Sequence, residues 1–66
     1  MNRKSIAKRL KDFRAKKEVT QAQVAEAIGI SQSTYAGYEN ESRVPTDEIK
    51  VRLAEYYNTT VLALFF

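Results

Sequence analysis

The 66-residue sequence contains no cysteine and no histidine, and it has only two glycines and one proline. Without cysteine the chain forms no disulfides and offers no thiolate to a metal, which fits a protein of the reducing cytoplasm. The sequence also lacks a Gly-rich phosphate loop and a serine beside a plausible base, and its carboxylates are scattered. We therefore expect no enzymatic activity, no cofactor or metal, and no small-molecule substrate.

Long apolar runs are absent as well. No stretch approaches the roughly 18 residues that span a bilayer, and no apolar signal core follows the charged start "MNRKS". The chain is close to the lower size limit for folding alone, so its core must be small. We expect one soluble intracellular domain, residues 1–66, with no membrane segment.

The charges are unevenly distributed behind a net charge of +3. Residues 1–17 carry eight Lys and Arg side chains against one carboxylate, Asp12, whereas residues 18–66 carry three against seven. Such asymmetry indicates a polyanionic partner approached from one side. A solvated amphipathic helix produces the same pattern, so the charge run alone leaves both interpretations open.

Apolar residues at helical spacing define the first predicted helix. Ile6, Leu10 and Phe13 fall at i, i+4 and i+7 with Lys and Arg between them. This period predicts an amphipathic helix from about Ser5 to Lys17.

Capping residues delimit the next two predicted helices. Thr20 is a favourable N-cap for "QAQVAEAI", whose apolar stripe contains Val24 and Ile28. Gly29 ends this second helix, because glycine readily adopts the left-handed conformation of a helix C-terminus. Ser31 is expected to cap a third helix, "QSTYAGYEN".

The third predicted helix has an apolar face and one destabilising residue in its interior. Tyr35 and Tyr38 lie three residues apart, where we expect core positions with the Tyr35 hydroxyl reaching the surface. Gly37 lies in the interior of the helix, where glycine costs about 0.5–1 kcal/mol relative to alanine.

The remaining sequence predicts a fourth helix and a short fifth element. Thr46 is an N-cap followed by two acidic residues, which the helix dipole favours in the first turn. Ile49, Leu53 and either Tyr56 or Tyr57 mark the apolar face of this helix. The segment "VLALFF" is a short final helix or turn. The expected fold is an all-α, compact five-helix bundle.

The second and third predicted helices form a helix-turn-helix. Two helices joined by a tight turn that contains glycine are the layout of this DNA-binding motif. The leftover polar side chains gather at helix starts or on the outer face of the third helix; they are Gln21, Gln32, Ser33 and Asn40. A major groove about 12 Å wide admits one such helix.

The segment "TQAQVAEAIGISQSTYAGYENE" resembles the lambda-repressor-like helix-turn-helix family, which includes the phage Cro proteins and many small bacterial regulators. The similarity extends from about Ile6 to Phe65. It implies a sequence-specific regulator that binds double-stranded DNA in the bacterial cytoplasm or nucleoid. Such a regulator is expected to be a repressor that binds a palindromic operator as a dimer.

The resemblance places the recognition helix, about residues 32–40, in the major groove. Gln32, Ser33 and Thr34 match base-facing positions. A Gln amide suits this role because it can bond adenine bidentately. Gly37 falls at a position that is often a base reader, and here its missing side chain would let the helix backbone approach the bases.

The same resemblance assigns backbone and structural roles. Gln21, Asn40 and Arg43 match positions near DNA phosphates, and Gln21 also supports a neighbouring side chain. Arg14 and Glu39 match a pair that joins the first and third helices, so we expect a partly buried ion pair there.

Two positions depart from the family pattern. Where the family often has glycine before the second helix and after Tyr-Glu-Asn, this chain has Glu18 and Glu41. If these residues keep a left-handed backbone, each carries strain of about 1 kcal/mol or more.

The C-terminal apolar residues are the predicted dimer surface: Val61, Leu62, Phe65 and Phe66. The same residues can instead fold back onto the fourth helix. Two other functions remain open alternatives. One is an antitoxin-type interaction module with secondary DNA binding, and the other is membrane-surface binding through the basic first helix.

Overall fold

A computed structural model describes residues 2–66 of the chain. Five helices follow one another along this range, and no strand occurs within it. The helices are α1 (Arg3–Lys17), α2 (Gln21–Ile28), α3 (Gln32–Glu39), α4 (Asp47–Tyr56) and α5 (Val61–Phe65). The predicted all-α five-helix fold is therefore confirmed.

Helix caps fix most of the boundaries. Thr20, Ser31 and Thr46 each accept a backbone N–H bond at a helix start, as the sequence predicted. The start of α2 is a capping box, because the backbone N–H of Thr20 also donates to Oε1 of Gln23, at 2.8 Å. Helix α1 begins two residues before the predicted Ser5, because Oδ1 of Asn2 accepts the Ser5 N–H bond at 2.8 Å.

The core lies where the apolar faces of all five helices meet. Helix α1 packs on α3 and α5, α2 packs on α3 and α4, and α4 also contacts α5. The largest fully buried side chains of the core are Ile6, Leu10, Val24, Tyr35, Leu53, Leu64 and Phe65. The apolar spacing of α1, α2 and α4 therefore identified the core side of each helix.

Two tyrosines join α3 to the end of α4. Tyr35 is fully buried, and its hydroxyl oxygen lies 2.7 Å from that of Tyr57. The expectation that this hydroxyl reaches the surface is wrong, because Tyr57 satisfies it inside the core. Tyr57, not Tyr56, takes the core position at the end of α4. Burial raises the pKa of both phenols, that of Tyr57 to about 12.

Helix α5 folds back onto the core through one face. Leu64 and Phe65 are buried, whereas Leu62 and Phe66 are 71% and 61% exposed. Phe65 is thus not part of an exposed surface, and its assignment to the predicted dimer surface is wrong. A helical turn points neighbouring residues in different directions, so only one of the two terminal Phe rings faces inward.

Within residues 2–66, three residues other than glycine have left-handed backbone conformations at helix ends. Glu18 has φ 57°, Glu41 has φ 71° and Asn58 has φ 60°. The first two are the positions where the sequence departs from the glycine pattern, so the left-handed backbone is kept there without glycine. A side chain at such φ values brings Cβ close to the backbone, which costs about 1–2 kcal/mol.

None of the helices within residues 2–66 is both long and apolar enough to cross a membrane.

Replacing Glu18, which is exposed at the C-terminus of α1, tests this strain. We expect Glu18→Gly to raise the free energy of unfolding by about 0.5–1 kcal/mol, because relief of strain exceeds the entropy that glycine adds to the unfolded chain. Urea unfolding followed by circular dichroism measures the change. In the matched control Glu26→Gly, on the exposed side of α2, the same substitution should instead destabilise by about 0.5–1 kcal/mol. A loss of stability in both variants would contradict the strain at Glu18.

Candidate functional site

Helices α2 and α3 are held at a fixed angle by the turn between them. Gly29 has φ 79°, and the Ile30 N–H donates to the carbonyl oxygen of Ala25 at 3.0 Å. This pattern is a helix C-terminus closed by a left-handed glycine. The chain then enters α3 directly through the Ser31 cap. Because Val24 and Tyr35 are fully buried, the inner faces of the two helices belong to one core.

The predicted ion pair between α1 and α3 is bidentate. Nε of Arg14 lies 2.8 Å from Oε2 of Glu39, and Nη2 lies 3.0 Å from Oε1. The Gln21 amide donates to the same Oε1 at 3.0 Å. The Arg14 guanidinium also donates to the carbonyl oxygen of Val19. One carboxylate thus joins side chains from the first three helices.

The environment of Glu39 sets its protonation state. The side chain is only 2% exposed, and burial alone would raise its pKa. Hydrogen bonds from Arg14, Gln21 and Tyr35, together with the Arg14 charge, outweigh burial and hold the pKa below its ordinary value of 4.5. The carboxylate is therefore charged at neutral pH.

The amino end of α3 presents polar side chains near the surface. Gln32 and Ser33 are exposed, and Thr34 is half-buried. The Ser31 hydroxyl donates to Oγ1 of Thr34 at 2.8 Å and accepts the Thr34 N–H. The Ser33 hydroxyl also lies within hydrogen-bond distance of the Ser31 hydroxyl, at 3.3 Å. Of the three predicted base-facing residues, Ser33 and Thr34 are therefore partly engaged with the cap, whereas Gln32 is exposed to solvent.

Gly37 does not present a bare helix backbone to solvent. The residue is buried, and a Cβ built on it would lie 2.7 Å from Cδ of Arg43 and 2.9 Å from Cγ. The loop after α3 folds back and lays the Arg43 side chain over the glycine. The assignment of Gly37 as a base-contacting residue is therefore wrong, because another side chain covers it.

The loop after α3 is fixed by hydrogen bonds to the helix. The carbonyl oxygen of Gly37 accepts both the Ser42 N–H at 3.0 Å and the Arg43 N–H at 3.1 Å. Oδ1 of Asn40 also accepts the Ser42 N–H at 3.0 Å. Asn40 and Arg43, two of the predicted phosphate contacts, are both exposed beside α3.

The third predicted phosphate contact, Gln21, is half-buried at the first position of α2. Its amide nitrogen is committed to Glu39. This bond supplies the predicted support of a neighbouring side chain, and it also orients Gln21 at the amino end of the helix.

Basic side chains of α1 extend this surface. Lys4, Lys8 and Lys11 line a shallow cleft together with Glu41 of the loop after α3. The sequence indicated the positive charge of α1 but not its position next to this loop. Asp12 lines the same cleft and forms a salt bridge with Lys8 at 3.1 Å. The negative charges of Asp12 and Glu41 therefore partly offset the lysines at this edge.

A sequence profile described as helix-turn-helix matches residues 10–64. The chain belongs to the lambda-repressor-like helix-turn-helix family. The match includes α2, the turn and α3, together with α4 and most of α1 and α5. The resemblance inferred from the residues is thereby confirmed.

Two curated helix-turn-helix relatives show the extent of the similarity. The chain is 43% identical over 53 residues to an uncharacterized HTH-type transcriptional regulator, YobD of Bacillus subtilis, covering 80% of this chain and 47% of the relative. It is 29% identical over 59 residues to the cryptic phage CTXphi transcriptional repressor RstR of Vibrio cholerae, covering 89% and 53%. The chain therefore spans about half the length of these relatives.

A solved structure shares the helix-turn-helix fold. The crystal structure of the clp gene regulator ClgR from Corynebacterium glutamicum superposes with a TM-score of 0.87 at 24% sequence identity, covering 94% of this chain and 66% of that one. The agreement supports the arrangement of the five helices.

Sequence reasoning missed two contacts that shape the site. The hydrogen bond between Tyr35 and Tyr57 spans 22 positions, so no local pattern indicates it. The contact of Arg43 with Gly37 had a weak signal, since a glycine inside a helix leaves room for a side chain from elsewhere.

Replacing Glu39 with Gln tests the ion pair. At neutral pH we expect Glu39→Gln to lower the free energy of unfolding by about 3 kcal/mol, because it leaves the Arg14 guanidinium without a charged partner in a largely buried site. The wild-type contribution is complete above the ordinary pKa of 4.5, and it is lost as pH falls through the lower folded-state pKa. The difference between variant and wild type should therefore shrink in acid. Urea unfolding across that pH range measures both effects.

The matched control is Glu48→Gln, which removes an exposed pair with Arg52. It should change stability by less than about 1 kcal/mol. Equal losses in the two variants, or a Glu39→Gln loss that does not depend on pH, would contradict the role assigned to the buried pair.

Proposed function

We propose that this chain is the DNA-binding part of a transcriptional regulator and that it reads double-stranded DNA by placing α3 in the major groove. One observation carries the proposal. Helix α3 buries Tyr35, Tyr38 and Glu39 on one side while the Gln32 amide and the Ser33 hydroxyl stand exposed at its amino end. In helix-turn-helix proteins the amino-terminal residues of the second helix contact base edges.

The dimensions of α3 suit the groove. An α-helix with its side chains is about 10–12 Å in diameter, and the groove is about 12 Å wide. A Gln amide can bond N6 and N7 of adenine together, and a Ser hydroxyl can pair with several bases. Gln32 is therefore the residue proposed to confer most of the adenine preference.

Phosphate contacts are proposed on both sides of the helix. Gln21 at the start of α2 is one, and Asn40 and Arg43 after α3 are the others. The lysines of α1 that line the cleft beside Glu41 add positive charge along the same edge. Such contacts fix the register of the protein on DNA but carry no sequence information themselves.

Repression by operator occupancy is the regulatory action that we propose. RstR, one of the relatives, is named as a phage transcriptional repressor. A single α3 offers few base contacts, and two copies about 34 Å apart would double them on a palindromic operator. We therefore include a symmetric dimer in the proposal.

The proposed dimer surface is the exposed side of α5. Leu62 and Phe66 are 71% and 61% exposed, and Val61 is half-buried beside them. Burying such side chains against a second copy would remove apolar surface from water. Phe65 is not part of this surface, but its burial in the core holds α5 in place.

Base reading is tested after selecting binding sites from a random duplex pool. Gln32→Ala should reduce the free-energy difference between binding the cognate and the scrambled site by about 1–3 kcal/mol, because one bidentate base contact is lost. Gln23→Ala, which removes the same amide from the α2 cap, should leave that ratio unchanged. Fluorescence anisotropy measures the six affinities of the three proteins for the two duplexes, and wild-type binding should weaken steeply with added salt. Equal losses on both duplexes, or a flat salt profile, would count against the proposal.

Oligomerisation is tested with Leu62→Glu. Placing a charge in the proposed interface should shift a wild-type dimer to monomer in sedimentation velocity. Circular dichroism should show that the monomer stays folded, because Leu62 lies outside the core of the single chain. The control Ala27→Glu adds the same charge on the exposed side of α2 and should leave the dimer intact. A dimer that survives Leu62→Glu, alone and on DNA, would rule out this surface.

A further inference from the structure

The structure holds a second base-reading residue outside the recognition helix. We propose that Arg43, lying over Gly37, supplies from the loop the base contact that residue 37 itself cannot make. The proposal rests on the proposed entry of α3 into the major groove. It changes the role of Arg43 from a phosphate contact to a specificity-determining residue.

Position 37 lies on the reading face of α3. Ser33 and Gly37 are four residues apart, so they occupy neighbouring positions on one side of the helix. Ser33 is exposed at the amino end of that side. A side chain at position 37 would therefore continue the row of groups that faces the bases.

The Arg43 side chain occupies the place where such a side chain would begin. Its Cδ and Cγ lie 2.7 and 2.9 Å from the position of an ideal Cβ on Gly37, closer than real Cβ atoms approach a neighbour. Residue 37 can thus carry a side chain only if Arg43 moves away. The aliphatic stem of Arg43 and the missing side chain of Gly37 are complementary in space.

The backbone of the loop keeps this placement fixed. Both the Ser42 and the Arg43 N–H groups donate to the carbonyl oxygen of Gly37. The left-handed Glu41 produces the reversal that allows it. Arg43 therefore starts from an anchored position next to α3 and not from a freely moving loop.

The charged end of Arg43 is available to a ligand. The salt bridges within residues 2–66 engage Lys8, Arg14, Lys50 and Arg52, and the exposed Arg43 takes no part in them. Its charge lies close enough to Tyr38 of α3 to oppose the rise in pKa that burial gives that phenol. The Arg43 stem, which lies over Gly37, also places the side chain beside the recognition helix.

Guanine is the base that this group would recognise. A guanidinium presents two N–H donors in a fixed fork, which matches O6 and N7 of guanine in the major groove. Such a bidentate contact discriminates against the other bases. A contact with phosphate alone would strengthen binding to every sequence equally.

The test compares binding sites selected from a random duplex pool by wild type, Arg43→Ala and Gly37→Ala. We expect wild type to select a guanine at one position of each half-site, and Arg43→Ala to lose it while the preference due to Gln32 remains. On defined duplexes, replacing that guanine should weaken wild-type binding by roughly 5- to 100-fold, and binding of Arg43→Ala by less than about twofold.

Gly37→Ala tests the packing. The new Cβ displaces the Arg43 stem, so this variant should lose the same guanine preference, and the double variant should behave like either single one. Circular dichroism and thermal unfolding confirm that it folds, and alanine in the helix interior favours folding. Arg3→Ala, which removes an exposed guanidinium from α1, is the matched control. It should weaken all duplexes alike and select the wild-type site.

Three results would overturn the proposal. An Arg43→Ala protein that selects the wild-type site and binds all duplexes more weakly by one factor would show a phosphate contact only. A folded Gly37→Ala protein that keeps the guanine preference would show that the packing does not position Arg43. If wild type selects no site at all, the proposed function and the role of Arg43 are both wrong. The first two results leave a selected site and contradict only the role of Arg43, so the two failures are distinguishable.

Discussion

The bidentate bond between Arg14 and Glu39 is the interaction on which the rest of the structure depends. Glu39 is almost completely buried, and an ionised carboxylate there is tolerated only because the Arg14 guanidinium and the Gln21 amide surround it. These three side chains come from α1, α3 and α2. The angle between α2 and α3 is thus fixed at two places. One is the turn at Gly29, and the other is Glu39 at the carboxyl end of α3, which bonds to Gln21 of α2.

The small size of the chain explains why its tyrosines lie in the interior. Few apolar side chains are available to 66 residues, so large rings fill the space between the helices, and Tyr35 and Phe65 are the largest fully buried ones. A buried phenol must form a hydrogen bond. Tyr35 and Tyr57 meet this requirement with each other, which ties the recognition helix to the end of α4. The core and the candidate interface therefore share helix α3.

Local signals carried most of what could be predicted from the sequence. Thr20, Ser31 and Thr46 are caps because their side chains accept from the N–H group three residues ahead, and such contacts can be recognised in a short segment. The choice between Phe65 and Phe66, and between Tyr56 and Tyr57, depends on the angle at which one helix meets another. No spacing rule within a single helix contains that angle. The base-contact assignment of Gly37 was wrong for a similar reason, since the side chain that covers it comes from a loop that folds back onto the helix.

The anchored loop after α3 also changes how freely Arg43 moves. A long side chain on a mobile loop gives up rotational freedom when a ligand holds it, at a cost of about 0.5–1.5 kcal/mol. Here the stem already lies against Gly37, and two N–H bonds hold the backbone from which it extends. Part of that conformational entropy has been given up during folding. The base of the arginine side chain is thus preorganised, because hydrogen bonds and packing attach the loop to the helix.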